Sequence, residues 1–152
     1  MMITNEPLIR SFLMLSDALV ATSDDWWVIG SAAVALHGGQ VGHLKDIDVL
    51  MSARDADALI KQVGATRGEP DRSEQFRSQV FGVWNAPPVP VEVFGGFRLA
   101  TDDGWKDVAF SSREAVKIGA ATLFIPSKSD LIAVLHTFGR PKDLGRAALL
   151  VG

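Results

Sequence analysis

The sequence predicts an α/β (α+β) fold, with a mixed central β-sheet flanked by helices and a pair of helices at the C-terminal end. Two observations predict this class. The first half of the chain alternates helix-like and strand-like segments, as in proteins whose helices pack on a sheet. The second half holds consecutive strand-like segments followed by two helix-like segments. Because 152 residues are enough to bury a core, we expect residues 1–152 to form a single domain.

Helical and strand-like periodicity alternate through the first part of the chain. Apolar residues recur at helical spacing after Pro7, and the next two helix-like segments stop at glycines. Ser52 precedes the third helix-like segment, where its hydroxyl suits an N-cap. The predicted elements are helix 7–21, strand 26–29, helix 31–39, strand 47–51 and helix 52–64.

The second part of the chain is predicted to contain strands and then helices. The Pro87-Pro88 pair marks a turn between two alternating segments, and Pro126 ends the strand region. Pro141 suits the first turn of a last helix. The predicted elements are strands 76–84, 89–97, 105–110 and 121–125, a short helix or turn around 112–118, and helices 127–139 and 141–150.

Composition excludes several classes of protein. The net charge of −3 argues against coating nucleic acid by bulk electrostatics, although a local basic groove stays possible. Without cysteine the chain forms neither disulfides nor thiolate metal sites. Arg10 and Asp17 interrupt the apolar residues near the N-terminus, which argues against a signal peptide or a membrane span. We therefore expect a cytoplasmic protein with no membrane partner.

Asp46 and Asp48 are two acids in an otherwise apolar, strand-like segment, separated only by Ile47. Side chains two residues apart in a strand project to the same face, so these carboxylates point together. Like charges at that distance repel unless a cation lies between them, and Mg²⁺ prefers oxygen ligands of this kind. In the alternative interpretation, Asp46 caps the preceding turn and Asp48 lies at a solvated strand edge.

Two further features allow both a structural and a chemical interpretation. Gly30 and Ser31 lie at a strand-to-helix junction, where glycine permits close backbone approach and a helix N-terminus suits an anion. Ser31 would otherwise be a simple N-cap. Glu92 is a single acid in an alternating apolar strand, either on a solvent face or in a site. Together with the aspartate pair, these features meet the requirements of a two-metal phosphoryl-transfer site.

This set of residues resembles the DNA polymerase beta-like nucleotidyltransferase superfamily. Its pattern is a Gly-Ser or Gly-Gly pair opening a helix, then an Asp-hydrophobic-Asp strand, then a later acidic strand residue. This chain supplies Gly30-Ser31, Asp46-Ile47-Asp48 and Glu92. The C-terminal segment is similar to small bacterial members of the abortive-infection and toxin type, in which an Arg-Pro-Lys-Asp turn, here residues 140–143, joins two helices. The likeness spans roughly residues 26–150.

The resemblance implies a nucleotidyltransferase fold and an activity. A nucleoside monophosphate would pass from a nucleoside triphosphate to an acceptor, with release of pyrophosphate. Asp46, Asp48 and Glu92 would bind two Mg²⁺ ions, and Glu92 would help to activate an acceptor hydroxyl. The residues expected to bind the nucleotide are Gly30, Ser31 and Lys45.

The chain departs from the resembled pattern where cations are expected. Many small members carry Arg and Thr before the Asp pair, and a Lys in the helix before the Arg-Pro-Lys-Asp turn. The residues here are Gly42, Leu44, Leu135 and His136. The cations left to replace them are Lys45, Arg140 and Lys142.

Two functions therefore stay open. The first is a Mg²⁺-dependent nucleotidyltransferase with a small-molecule, RNA or protein acceptor. The second is a catalytically weak protein of the same fold that binds a nucleotide or a partner protein. Because the length leaves no obvious second domain to recognise an acceptor, a homodimer or a partner chain is expected to do so.

Other polar residues favour structural roles. His37 lies near a helix end, where capping or partial burial is expected. Lys142 and Asp143 are expected to form a local ion pair that fixes the last two helices. Arg67, Arg72 and Arg77 are expected to lie in a solvated loop, and the alternative is the rim of a substrate groove.

Overall fold

The computed structural model describes residues 3–69 and 73–151, which form five helices and ten strands. The helices are α1 (Glu6–Ala18), α2 (Gly30–Leu36), α3 (Ala53–Val63), α4 (Lys128–Phe138) and α5 (Pro141–Ala148). The strands are β1 (Trp27–Ile29), β2 (Ile47–Met51), β3 (Thr66–Arg67), β4 (Phe76–Arg77), β5 (Val80–Trp84), β6 (Val91–Gly95), β7 (Arg98–Thr101), β8 (Gly104–Asp107), β9 (Glu114–Ile118) and β10 (Ala121–Ile125). Each helix of the described residues is too short to span a bilayer.

The strands form one central sheet and two smaller ones. The central sheet has the order β1-β2-β6-β5-β3, in which β2 and β6 run parallel and the other neighbours run antiparallel. A second antiparallel sheet contains β4, β7 and β8, and β9 pairs with β10 as a hairpin. This mixed sheet with its helices confirms the predicted fold class.

The register of the central sheet separates an apolar face from a polar one. Val28, Val49 and Val93 lie side by side across β1, β2 and β6, and all three are fully buried. Because side chains alternate along a strand, the residue next to each of them faces the opposite side. The main core therefore forms on the valine face, where α1, α3, α4 and β10 contribute buried residues.

A smaller apolar cluster covers part of the opposite face. Its buried members come from β1 and β2 and from the second sheet with its connecting segments, and they are Ile29, Leu50, Phe76, Phe97 and Leu99. The three strands β4, β7 and β8 thus pack below the central sheet and leave the start of β2 uncovered by this cluster. That uncovered part of the face lies at Asp48.

Helix boundaries agree with the capping signals in the sequence. The Ser52 side chain accepts a hydrogen bond from the Asp55 backbone N–H at the start of α3, and Gly64 ends that helix with a φ of 67°. Ser127 caps α4 in the same way, and Gly139 ends it with a φ of 69°. Only glycine adopts these left-handed conformations without steric cost.

Two sequence predictions of local structure are wrong, and two strands were not predicted. Residues 112–118 do not form a helix, because Glu114–Ile118 is a strand that pairs with β10. The predicted strand 76–84 is two strands, β4 and β5, which belong to different sheets. The unpredicted strands are β3, which has two residues and is too short to show alternation, and β7, which directly follows the predicted strand 89–97. In each case tertiary pairing, rather than local periodicity, decides the structure.

Candidate active site

The pairing of β1, β2 and β6 assembles the acidic residues. Asp48 lies opposite Ile29 on β1 and opposite Glu92 on β6. Residues in register on neighbouring strands project to the same face, so Asp48 and Glu92 both project to the face opposite the buried valines. Asp46 directly precedes β2 and is two residues from Asp48. The structure therefore brings together three acids that span 47 positions of the chain.

The three carboxylates have the spacing of a cation site. One carboxylate oxygen from each of Asp46, Asp48 and Glu92 lies within 4.8 Å of the other two, and all three residues are half-buried. Asp48 Oδ1 is buried and has no hydrogen-bond partner among the described residues. A buried polar atom without a partner is costly, and a divalent cation would supply the missing ligand interaction. The donor set therefore fits Mg²⁺, which prefers oxygen ligands.

The pKa shifts of two members of the acidic triad, which consists of Asp46, Asp48 and Glu92, support a cation site. Burial raises the pKa of Asp48 well above 3.8, and the negative charges of Asp46 and Glu92 raise that pKa further. The pKa of Glu92 is also raised, first by burial and then by Asp46. Like charges held close in a partly dry site are stabilised by a cation. Without a cation, the three carboxylates therefore repel one another, and a bound cation would offset that repulsion.

Gly30 fits closely against the acidic triad. It opens α2 with a φ of 65°, and a Cβ atom at this position would lie 3.0 Å from Asp48 Oδ2. Ser31 is the second residue of α2, whose N-cap is Ile29, so the interpretation of Ser31 as an N-cap is wrong. Instead, Gly30 and Ser31 both line a cleft beside the acids.

Helix α5 brings arginines to the other side of the cleft. Asp143 is buried, with 1% of its side chain exposed, and accepts hydrogen bonds from Arg140 Nε at 2.6 Å and Arg140 Nη2 at 3.0 Å. Arg146 Nη1 lies 3.6 Å from Asp143 Oδ1, the same oxygen that accepts from Arg140 Nη2. Asp143 therefore pairs with two arginines and not with Lys142 among the described residues, so the predicted Lys142–Asp143 pair is wrong.

The cations of α5 act on the acids across the cleft. Arg146 counteracts the rise in the pKa of Asp48, and Lys142 counteracts the rise in the pKa of Glu92. Sequence reasoning named Lys142 and missed Arg146. The signal was present, because Arg140, Asp143 and Arg146 recur at a spacing of three and share one helix face.

The cleft has a volume of about 660 Å³, within the range of small-molecule sites. All six residues proposed from the sequence line it. Those residues are Gly30, Ser31, Lys45, Asp46, Asp48 and Glu92. Further lining residues that sequence reasoning did not propose are Ile29, Glu69, Phe76, Phe81, Phe94, Phe97, Leu135, Phe138, Asp143 and Arg146.

Residues expected to be structural have varied positions. His37 ends α2 and is half-buried, in agreement with the expected partial burial, and its Nε2 lies 2.8 Å from the Pro126 carbonyl oxygen. Arg67 and Arg77 lie in β3 and β4 and not in a loop, and Arg77 stacks on Trp105 at 4.2 Å from the ring centroid. Arg72 lies outside the described residues.

Comparison with solved structures identifies the fold. A proposed nucleotidyltransferase from Thermotoga maritima matches with a TM-score of 0.75 and 20% identity, over 90% of this chain and 88% of that chain. The protein has the nucleotidyltransferase fold. The lincosamide antibiotic adenylyltransferase LnuA matches with a TM-score of 0.61 and 15% identity, over 99% of this chain and 98% of that chain. The antibiotic-resistance factor ANT(2'')-Ia matches at 0.62 and 10% identity, over 97% and 84%.

The nucleotidyltransferase fold confirms what the sequence resemblance implied about architecture. No protein-family model matches the sequence, and no curated protein matches it significantly. At identities of 10% to 20% the solved structures establish the fold alone, and the toxin-type subgroup stays a prediction. The fold and the acidic triad together fit a nucleotidyltransferase.

Proposed function

We propose that this protein is a Mg²⁺-dependent nucleotidyltransferase, which transfers a nucleoside monophosphate from a nucleoside triphosphate to an acceptor hydroxyl. The observation that carries this proposal is the convergence of Asp46, Asp48 and Glu92 within 4.8 Å, beside the Gly30 corner of this fold. Asp48 Oδ1, buried without a hydrogen-bond partner among the described residues, supports a cation at that point.

The acids have distinct places in the proposed reaction. Asp46, Asp48 and Glu92 would hold two Mg²⁺ ions, which when bound supply positive charge to the phosphates. The acceptor oxygen forms a bond to the α-phosphorus, and the bond from that phosphorus to the bridging oxygen breaks, which releases pyrophosphate. Glu92 would take the proton from the acceptor hydroxyl.

Positive charge for the triphosphate would come from two sides of the cleft. Lys45 precedes the acids on the β2 side, and Lys142 and Arg146 project from α5. Gly30 and Ser31 would lie closest to the leaving phosphates, where the absence of a glycine side chain permits close approach. These cations would replace those expected at Gly42 and Leu44 by the family resemblance.

The alternative function is a catalytically weak protein of the same fold that binds a nucleotide or a partner. Two observations favour it: Leu44 is buried, with 8% exposed, and Leu135 is a core residue with 1% exposed. Neither position presents a cation to the cleft. Two further parts of the proposal are the toxin-type assignment and a homodimer or partner chain. The family resemblance supports the first, and the chain length supports the second.

The nature of the acceptor follows from what related folds accommodate. LnuA was solved with lincomycin bound, and ANT(2'')-Ia with adenylyl-2''-tobramycin, so this fold accepts small hydroxylated molecules in those proteins. A small-molecule acceptor therefore stands first among the three acceptor classes, ahead of RNA and protein.

A Mg²⁺-dependent thermal shift tests nucleotide binding. Each of the four nucleoside triphosphates is added with and without Mg²⁺, and a ligand at 100 times its Kd should stabilise the protein by about 2.7 kcal/mol. The double variant Asp46→Ala/Asp48→Ala should lose the shift. The exposed pair Asp102 and Asp103 supplies the matched control, since Asp102→Ala/Asp103→Ala removes two neighbouring acids outside the cleft.

Transfer of label then separates the two functions. Incubation with an α-³²P-labelled triphosphate and a cell extract should produce a labelled acceptor with the wild-type protein and none with Asp46→Ala/Asp48→Ala. A Mg²⁺-dependent shift without any labelled product supports the binding protein. A shift that persists in Asp46→Ala/Asp48→Ala would overturn the metal site.

A further inference from the structure

The cleft has an aromatic floor that the proposed chemistry does not use. Phe81 and Phe94 lie opposite each other on β5 and β6, with ring centroids 5.1 Å apart. Phe94 also contacts Phe97 at 5.5 Å, and Phe138 closes the cluster from the end of α4. We define Phe81, Phe94 and Phe138 as the aromatic floor, because these three are only half-buried and line the cleft.

The floor begins directly beside Glu92. Phe94 is two residues beyond Glu92 on the same strand, so both side chains project into the cleft, roughly 7 Å apart along the strand. Apolar rings on an open sheet face lose contact with water only when something covers them. A solvated face of an antiparallel strand usually carries polar residues at such positions, and here it carries apolar rings.

The order of strands decides which substrate lies on the floor. Crossing the sheet from β1 to β5, one meets Gly30, then Asp48, then Glu92, then β5 with Phe81. In-line displacement requires the attacking oxygen to approach from the side opposite the leaving pyrophosphate. With the leaving phosphates at the Gly30 corner, the acceptor approaches from the β6–β5 side, where Glu92 and the aromatic floor lie.

The charges around the aromatic floor restrict the acceptor further. Arg140 borders the floor, with Cζ 4.8 Å from the Phe76 centroid, but Asp143 already pairs with it. Glu69 also lines the cleft and is exposed, and it follows Gly68, whose backbone N–H donates to the Phe81 carbonyl oxygen. One exposed carboxylate gives a polyanion no attraction at the floor, and the net charge of −3 disfavours nucleic acid.

We infer that the acceptor is a small, neutral or cationic molecule that carries a hydroxyl group and an apolar ring, with the ring packed on Phe81, Phe94 and Phe138. This inference rests on the proposed function for the identity of the attacking group. The physical claim is a binding site for an apolar ring next to the acids, and that claim stands without catalysis.

Phenyl β-D-glucoside is a suitable probe, because it joins an aromatic ring to hydroxyl groups, and glucose is its ring-free match. Saturation-transfer NMR on the full chain should detect binding of phenyl β-D-glucoside and none of glucose at the same concentration. The Phe94→Ala variant should weaken binding about tenfold, since the contact buries a large part of one ring. Phe110→Ala is the matched control, because Phe110 packs on Trp27 and lies outside the cleft lining.

A second measurement separates acceptor from nucleobase. The thermal shift from Mg²⁺ with α,β-methylene ATP should be the same in Phe94→Ala as in the wild type, while Asp48→Asn should abolish it. If Phe94→Ala weakens the nucleotide analogue and spares the glucoside, the floor holds the base and the inference is overturned. Equal glucoside binding in both proteins, or no glucoside binding at all, overturns it too.

The two proposals fail in different ways. Loss of the nucleotide shift in every protein, together with ring binding that depends on Phe94, would remove the enzyme and keep the floor as a ligand site. If Phe94→Ala does not fold, Phe81→Ala removes the opposite ring on another strand and gives the same expected result.

Discussion

Gly30 shows how much the absence of a side chain matters at this site. Its backbone lies against the Asp48 carboxylate in a left-handed conformation that an L-residue adopts at a cost of about 1–2 kcal/mol. Gly64 has a nearly identical φ of 67° at the end of α3, with open space where a Cβ would stand. The two glycines therefore separate backbone strain from crowding of the acids.

Alanine at these two glycines gives the first prediction. Gly30→Ala and Gly64→Ala should each destabilise the protein by about 1 kcal/mol, because both carry positive φ. Only Gly30→Ala should weaken Mg²⁺ binding, since its methyl group would lie 3.0 Å from Asp48 Oδ2. Thermal melts with and without Mg²⁺ measure both effects. Equal Mg²⁺ responses from the two variants would contradict the close fit at Gly30.

Asp48→Asn should stabilise the metal-free protein. The folded-state pKa of Asp48 is raised above 3.8, so its cost is absent at low pH and grows as pH rises through that value. Asn keeps the shape and removes the charge, so in EDTA at pH 7 the variant should gain about 1 kcal/mol, or about 3 °C. At pH 3 the gain should vanish. Calorimetry at both pH values measures it.

Asp143→Asn is the contrasting control for that prediction. Asp143 is also a buried acid, but it pairs with Arg140 and Arg146. Removal of its charge should destabilise the protein, because two partly buried guanidinium groups would lose their partner. A stabilising effect at Asp143, or a destabilising one at Asp48, would contradict the distinction drawn between repelling and paired acids.

At the scale of elements, α5 supplies two of the cations of the cleft, Lys142 and Arg146. Arg146 lies on its half-buried face, and Asp143 fixes the guanidinium group near the acids. A substrate with three phosphates needs such cations, and they are strongest where water is partly excluded. In the proposed reaction, α5 would therefore help to bind the triphosphate.

Arg146→Ala should lower kcat/KM for the triphosphate about 100-fold, or about 2.7 kcal/mol, because the transition state would lose a charge-assisted contact. Lys61→Ala provides the control, since Lys61 is exposed on α3 and pairs with Asp57, away from the cleft. Steady-state kinetics and a melting curve for each variant complete the test. Equal loss in both variants would mean that Arg146 acts through overall charge alone.

Helix α3 anchors the segment before β1 through a second set of charges. Arg54 forms two hydrogen bonds of 2.7 Å to Asp24, and Asp55 accepts from the backbone N–H groups of Ser23 and Asp24. The hydrogen bond from Arg54 lowers the pKa of Asp24 from 3.8 to about 2. A lowered folded-state pKa adds stability above 3.8 that is lost as pH falls towards 2.

Carboxyl NMR titration measures this prediction. The Asp24 midpoint should lie near 2 in the wild type and move up towards 3.8 in Arg54→Ala. Asp57, on the same helix, pairs with Lys61 and Arg67 and serves as the internal reference that Arg54→Ala leaves unchanged. A midpoint for Asp24 that does not respond to Arg54→Ala would exclude the pair in solution.

At the scale of the whole molecule, the sequence predicted the parts whose signals are local. Strands 47–51 and 121–125 have the predicted bounds, because apolar runs and neighbouring turn residues define both ends. The prediction of a helix or turn at 112–118 was wrong, because the strand there is defined by its pairing with β10 and not by local periodicity. The spacing of two predicted that Asp46 and Asp48 share one face. The spacing of three in α5 also carried a signal for Arg146, but its position across from the acids depends on packing around the cleft, as does the aromatic floor.

Stability should differ across the molecule in hydrogen exchange. The amides of β2 and β6 lie in the middle of the central sheet with buried neighbours on the core face, so they should exchange only on global unfolding. The amides of β8, an edge strand with exposed side chains, should exchange much faster. Exchange monitored by NMR decides this, and equal protection in β2 and β8 would contradict the layered arrangement.

The parallel pairing of β2 with β6 has a kinetic consequence. A shift of one residue in that pairing would turn Glu92 into the interior and Val91 or Val93 outwards, which would separate Glu92 from the two aspartates. Parallel strands meet late during folding, because a long intervening segment must be closed first. Binding of a divalent ion would therefore report native topology, and in refolding it should appear only in the slowest phase that completes the sheet.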